Sequence, residues 1–177
     1  YWEDYAQSIQ SPKWKELAEG SLEIYRTGQP VKAVAFQDLD GKEWNLGDFE
    51  GTPTLFYFFF STCSNSEKYF KNYLWPLYKE TSGKEKYSLV AVSVDDDPTL
   101  WKANISTYSS SELLNLNLPL AENKEWLEHY HIDAYPRAML MGPEGKLLSF
   151  NLLGSDYTDY RDRFIQLLEE ADKISTP

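Results

Sequence analysis

The chain has 177 residues, 42% of them hydrophobic and 16% aromatic, and a formal net charge of −11. That balance supports one domain with a substantial core and excludes a disordered or low-complexity chain. The negative charge repels phosphate backbones and anionic membranes, so nucleic-acid binding is not expected, and no apolar run approaches the ~20 residues of a membrane-spanning helix.

The start at Tyr1 rather than Met reads as a processed or excised chain, from which a signal peptide could have been removed. Residues 1–11 carry Trp2 and Tyr5 without a clear period. From Pro12 onward Trp14, Leu17, Leu22 and Tyr25 recur at helical intervals until Gly28-Gln29-Pro30, which predicts a helix within an N-terminal extension. Val34 and Phe36 alternate, Asp40-Gly41 supplies a turn, and Trp44 and Leu46 resume the alternation, as in a hairpin. The run from Thr54 to Phe60 has no polar face and predicts a strand inside a sheet.

A helix is predicted from about Cys63 to about Lys79, with Tyr69, Phe70, Tyr73, Leu74 and Leu77 on its apolar side and a kink at Pro76. Residues 88–94 form a second buried strand. One aspartate of Asp95-Asp96-Asp97 caps the next helix, which has Pro98 in its first turn and Leu100 and Trp101 facing inward. Residues 116–121 read as extended and 123–132 as a short helix. Residues 137–142 and 146–154 read as strands around the turn Pro143-Glu144-Gly145. The chain closes with an amphipathic helix carrying Tyr160, Phe164, Leu167 and Leu168 on one face. Alternating buried strands and helices predict an α/β sheet covered on both faces, made mixed by the closing hairpin.

The only cysteine, Cys63, excludes an internal disulfide and a zinc site built on cysteines. It falls where a buried strand passes into a helix. The first amides of a helix lack internal partners and carry about half a positive charge, which stabilises a thiolate and makes it a better nucleophile. The end of a strand is also where open α/β sheets place ligands. The plainer reading is a small buried residue before a helix opened by the capping box Ser64-Asn65-Ser66-Glu67. Pro136, after Tyr135 and directly before a buried strand, is a candidate for a cis peptide bond at the strand's first position. His129, His131 and Asp133 do not share a helix face and read as polar surface rather than metal ligands. Asp95 to Asp97 are better explained by capping than by a bound cation. Asn104-Ile105-Ser106 fits a glycosylation sequon, which has meaning only in a secreted eukaryotic setting.

Residues 38–63, DLDGKEWNLGDFEGTPTLFYFFFSTC, resemble the segment leading to the active site in the extracytoplasmic thiol–disulfide oxidoreductase (TlpA/ResA-like) branch of the thioredoxin superfamily. Residues 90–101 resemble that branch's next strand and helix, and residues 130–148 its cis-proline loop and final hairpin. The resemblance spans about residues 30–173 and implies a thioredoxin-like fold: a mixed central sheet flanked by helices, over residues 30–177, with residues 1–29 as a helical extension. It also implies an extracytoplasmic setting in the periplasm or cell envelope and a protein, peptide or small-molecule thiol or disulfide as partner; no cofactor or metal is expected.

The departures shape the expected chemistry. The motif is Cys63-Ser64-Asn65-Ser66, so a serine stands where the family has its resolving cysteine. Thr62 replaces the family's tryptophan, and Arg137 follows the proline where threonine is common. In a dithiol enzyme the second thiol releases product from the mixed disulfide; Ser66 has no sulfur to do so. What remains is monothiol exchange, with Cys63 as nucleophile and Ser66 as hydrogen-bond donor to its thiolate. Thr62, Tyr135, Pro136 and Arg137 would then bind substrate, with the Tyr135 backbone pairing to an extended peptide and Arg137, if it faces the site, further favouring the thiolate. Tyr69 is a further candidate lining such a groove. A catalytically inactive domain that binds partners through the same groove is the alternative. A peroxiredoxin-like peroxidase is disfavoured, because the threonine that family places three residues before its cysteine is Phe60 here.

Overall fold

The computed structural model describes residues 10–12, 28–82 and 86–174; the helix predicted between Pro12 and Tyr25, and with it the helical extension, lies outside the described residues. At the centre is β3 (Thr54–Phe59), with all six residues buried. Successive side chains of a strand point to opposite faces, so a strand without a polar position has to be covered on both. It pairs in parallel with β4 (Ser88–Ser93), Phe59 beside Ser93, and antiparallel with β6 (Arg137–Met141), Phe58 beside Arg137. β5 (Leu114–Asn117) runs parallel to β4. With the hairpin β1 (Ala35–Asp38) and β2 (Glu43–Asn45), and with β7 (Leu147–Ser149), these make a seven-stranded mixed sheet in the order β2-β1-β5-β4-β3-β6-β7. Gly41, at φ 83°, makes the β1–β2 turn in the left-handed region that glycine enters without steric cost.

The two faces of β3 seed two cores. Leu55, Tyr57 and Phe59 pack with Phe70, Leu74, Leu77, Trp101, Tyr160 and Phe164. Phe56 and Phe58 pack with Phe36, Phe49, Val90, Leu116, Leu127 and Met139. Each such large side chain removed from water contributes about 1.5–3 kcal/mol. On the first face lie α1 (Ser64–Tyr69), α2 (Trp75–Thr81), α3 (Pro98–Tyr108) and α5 (Tyr157–Ile174); the second is covered by α4 (Leu120–His129).

The kink expected at Pro76 takes a specific form. Phe70–Leu74 is a π turn, closed by the Trp75 N–H to the Phe70 carbonyl, and Pro76 stands in the first turn of α2. A proline there has no intrahelical donor to lose, so the wider turn absorbs the defect that a continuous α-helix would carry.

Several boundaries move from those the sequence predicts. β5 ends at Asn117, and Leu120 and Ala121 already belong to α4, which stops at His129 rather than residue 132. The strand predicted over 146–154 is paired only from Leu147 to Ser149; a bulge shifts the β6–β7 register between Leu140 and Met141, and the Leu152 N–H returns to the Ala138 carbonyl. The capping box at Ser64 is not formed: Cys63 itself is the N-cap, and Glu67 pairs with Lys71 at 2.6 Å instead. The three consecutive aspartates do three separate jobs. Asp97 caps α3 by accepting the Thr99 N–H, and Asp96 caps α4 from outside by accepting the Ala121 N–H, both at 2.8 Å, while Asp95 is buried. Residues 28–31 run beside the final hairpin, with the Gly28 N–H on the Leu147 carbonyl at 2.7 Å and the Leu147 N–H on the Gln29 carbonyl at 2.8 Å.

Candidate active site

The pairing registers bring three chain segments to one edge of the sheet. β3 and β4 are parallel and end there, Phe59 level with Ser93, while β6 is antiparallel and starts there at Arg137. Cys63, Asp95 and the loop holding Pro136 therefore converge although they lie far apart in sequence.

Cys63 is partly exposed. It lies outside the cleft of about 910 Å³ bounded by β1 and α4. Its thiol donates to the Tyr135 carbonyl at 3.6 Å, across the loop whose Tyr135–Pro136 peptide bond is cis. As the N-cap of α1 it stands where serine or aspartate would accept the amides two and three residues on. The thiol caps neither amide, being turned to Tyr135; the thiolate is the form those amides favour. Burial pushes the thiol pKa up, but hydrogen bonds from the Ser66 hydroxyl and from the Ser66 and Asn65 amides outweigh it, and the net direction is below an ordinary cysteine.

Ser66 is fully buried beneath the sulfur. Its hydroxyl has no partner while Cys63 is a protonated thiol occupied with Tyr135. The thiolate, with lone pairs to offer, is the acceptor that satisfies it. A buried donor left unpaired in one protonation state and paired in the other biases the site toward the second. The Ser66 carbonyl accepts the Tyr57 hydroxyl at 2.8 Å, which supports the first turn of α1 from the sheet below. Tyr57 stays protonated: burial drives its pKa well above the usual range, and ionised Cys63 adds to that.

Thr62 has φ 87°, a left-handed backbone that a β-branched residue rarely adopts, and its N–H is held by the Tyr108 hydroxyl at 2.9 Å. Tyr135 stacks its ring on Phe60 at 6.3 Å between centroids and donates its hydroxyl to the Ile132 carbonyl. Burial first, then the nearby Asp133, Asp95 and Asp96 carboxylates, push its phenol up to about 12. Arg137 is mostly buried and pairs with Asp133 at 3.7 Å; it acts on Tyr69 and is not among the groups that lower the Cys63 thiol. Tyr69, a candidate for the groove wall, instead turns its hydroxyl inward to the Tyr160 hydroxyl and the Leu152 carbonyl. His129 bonds Lys32, and among the described residues no group of three histidine, cysteine or acidic side chains could hold a metal ion.

Sequence reasoning missed Asp95, Tyr57 and Tyr108. The signal for Asp95 was present, since it follows the apolar run of β4 at the edge where the cysteine lies. Tyr57 was hidden in an aromatic run, and nothing in the sequence links Tyr108 to Thr62.

The sequence profile of a family described as thioredoxin-like matches residues 51–147. The thiol-disulfide oxidoreductases ResA of Bacillus thuringiensis subsp. konkukian and of Bacillus cereus are each 30% identical over 134 residues, covering 73% of this chain and 70% of theirs. Among solved structures, a thiol:disulfide interchange protein from a Bacteroides species superposes with a TM-score of 0.69 at 28% identity, over 86% of this chain and 97% of that one. The thioredoxin domain of a thiol-disulfide oxidoreductase from Bacteroides vulgatus superposes at 0.65 and 27% identity, over 81% and 98%.

Proposed function

The chain belongs to the thioredoxin-like family of thiol-disulfide oxidoreductases, and from that membership we propose that it is a monothiol member acting through the Cys63-Ser64-Asn65-Ser66 motif. The observation that carries this is the placement of the Cys63 sulfur. It stands at the N-cap of α1, beside the buried Ser66, 3.6 Å from the carbonyl that precedes the cis-proline.

The Cys63 thiolate attacks one sulfur of a partner disulfide. A Cys63–partner disulfide forms, the partner's own S–S bond breaks, and its second sulfur leaves as a thiolate that takes a proton from solvent. The chain holds no other sulfhydryl. An external thiol therefore attacks the partner's sulfur in the mixed disulfide, leaves with it as a new disulfide, and returns the electron pair to Cys63. The two steps move a disulfide from one partner to another with no net change in the protein. Ser66 donates to the sulfur as attacking and as leaving thiolate. Tyr135 and Pro136 present the carbonyl edge along which an extended peptide pairs, with Thr62 and Arg137 at its margins.

The same proposal places the protein outside the cytoplasm, where disulfide partners persist; fractionation of the source cells tests this. It also divides the chain into an extension, residues 1–29, and a thioredoxin-like domain, residues 30–177. Gly28 and Gln29, each bonded to Leu147, join the last residues of that extension to the final hairpin.

The decisive experiment incubates the protein with glutathione disulfide and then with free thiol, following its mass. One glutathione adduct on Cys63, released by thiol, is expected. A sulfur that stays unmodified while the folded chain is intact would leave only an inactive domain that binds partners.

A further inference from the structure

Two consecutive amides in the loop before Cys63 are held by side chains from distant elements. The Ser61 N–H lies 3.2 Å from both carboxylate oxygens of Asp95, just past the end of β4. Asp95 is only 1% exposed, and its carboxylate is fixed in turn by the Ser93 hydroxyl at 2.6 Å. The Thr62 N–H is bonded at 2.9 Å by the hydroxyl of Tyr108, at the last turn of α3, whose ring stacks on Phe59 at 5.9 Å. Between these anchors Thr62 is turned to φ 87°. Threonine disfavours that conformation; the loop's own turn bond, from the Cys63 N–H to the Phe60 carbonyl at 3.0 Å, closes around it, and the two outside contacts hold the amides on either side of the Ser61–Thr62 step. The Asp96 and Asp97 carboxylates are engaged on other helices and are not available to hold the loop.

We propose that Asp95 and Tyr108 are positioning residues that clamp the Ser61 and Thr62 amides, favour the left-handed turn at Thr62, and thereby hold Cys63 at the N-cap of α1 with its sulfur facing the Tyr135 carbonyl. Neither side chain needs to touch a substrate. The clamp rests on the reading of Cys63 as a reactive thiol, and it makes a prediction that this reading alone does not. Tyr57 from β3 below, Tyr135 across the cis-proline loop and the Asp133–Arg137 pair on that loop also lie on this side of the site, and the test variants leave all four in place.

The test measures alkylation of Cys63 by iodoacetamide across pH, with Thr62 amide hydrogen exchange as a second readout. Tyr108→Phe keeps the ring and removes the acceptor. It should move the midpoint upward and slow alkylation at neutral pH by roughly threefold to tenfold, as expected when the thiolate fraction falls by up to one pKa unit. Protection of the Thr62 amide should be lost with it. Adding Thr62→Gly to Tyr108→Phe should restore most of the rate, because glycine reaches a positive φ without the clamp. Thr62→Ala should not restore it. Asp95→Ala should slow alkylation, whereas Asp95→Asn, which retains an acceptor for the Ser61 N–H, should stay close to the parent.

A purely electrostatic role for Asp95 has the opposite sign, since removing a negative charge near a thiol speeds its ionisation. A purely structural role for Tyr108 would lower stability without moving the midpoint and would not be rescued by glycine. An unchanged midpoint and an unchanged Thr62 amide in Tyr108→Phe would overturn the clamp. Failure of the parent protein to form a glutathione adduct, with the midpoint shift and glycine rescue intact, would overturn the exchange reaction and leave the clamp standing.

Discussion

Cys63 and Ser66 form a pair in which each completes the other only after a proton has left. The thiol pKa is displaced downward in the folded chain, so the thiolate is populated below the pH at which a free cysteine, near ~8.5, would ionise. Ser66→Ala removes the strongest of the bonds that stabilise the ion. It should slow Cys63 alkylation at neutral pH several-fold with little change in stability, read from the pH–rate profile. The sign for folding follows from the same displacement. A folded-state pKa below the unfolded one adds stability that is fully present above the unfolded value and lost as pH falls through the folded value. The stability advantage of the parent over Cys63→Ala should therefore grow as pH rises through the thiol's titration, measured by urea unfolding at a series of pH values. Ser66→Cys tests the motif from the other side. A second sulfur introduced there should join that of Cys63 in an intramolecular disulfide under mild oxidation, seen as loss of both free thiols; two thiols that persist under those conditions would show that the two positions are not apposed.

The elements around the site are held by contacts that cross the sequence. α4 begins after Pro119, which offers no side-chain cap, and borrows Asp96 from the end of the β4 strand. Asp96→Ala should cost about 1 kcal/mol although it flanks no residue of that helix, matching Asp97→Ala on α3 in the shift of the urea midpoint. Gly154 shows the same dependence in packing. A Cβ there would lie 2.5 Å from the Tyr160 nitrogen and 2.6 Å from its Cα, so the loop before α5 passes against that helix at a distance no other residue permits. Gly154→Ala should destabilise by about 1–3 kcal/mol, the range for forced backbone shifts, and a midpoint within error of the parent would contradict the close approach. The π turn before Pro76 belongs with these cases. A proline in a helical pattern announces a defect, but whether it becomes a bend, a break or a wider turn depends on what the two halves pack against. Here Phe70, Leu74 and Leu77 must all reach the same core.

The whole molecule carries a charge of −11, and its field reaches any partner before contact does. Exchange with a cationic disulfide such as cystamine should be faster than with anionic glutathione disulfide at low ionic strength. Added salt should slow the first and speed the second, converging as the screening length falls to about 10 Å near 0.1 M. Rates that do not respond to salt would mean that the local field at Cys63 differs from that of the molecule. The fold at this scale was readable because its signals are local and repetitive. A six-residue apolar strand can only be central, and helical spacing at Tyr160, Phe164 and Leu168 can only be one buried face. Cys63 and Pro136 were likewise legible, each at a strand end where backbone chemistry narrows the options. What the chain alone could not express is which distant groups share an edge. Asp95 looked like one more helix-capping acid and Tyr108 like one more aromatic, because a hydrogen bond between residues 34 or 46 positions apart leaves no trace in periodicity. By itself the sequence determined where the strands and helices run and that a lone sulfur stands at a helix start. Only the pairing of parallel β3 and β4 with antiparallel β6 decided what surrounds that sulfur, because register, not composition, sets which strand ends meet.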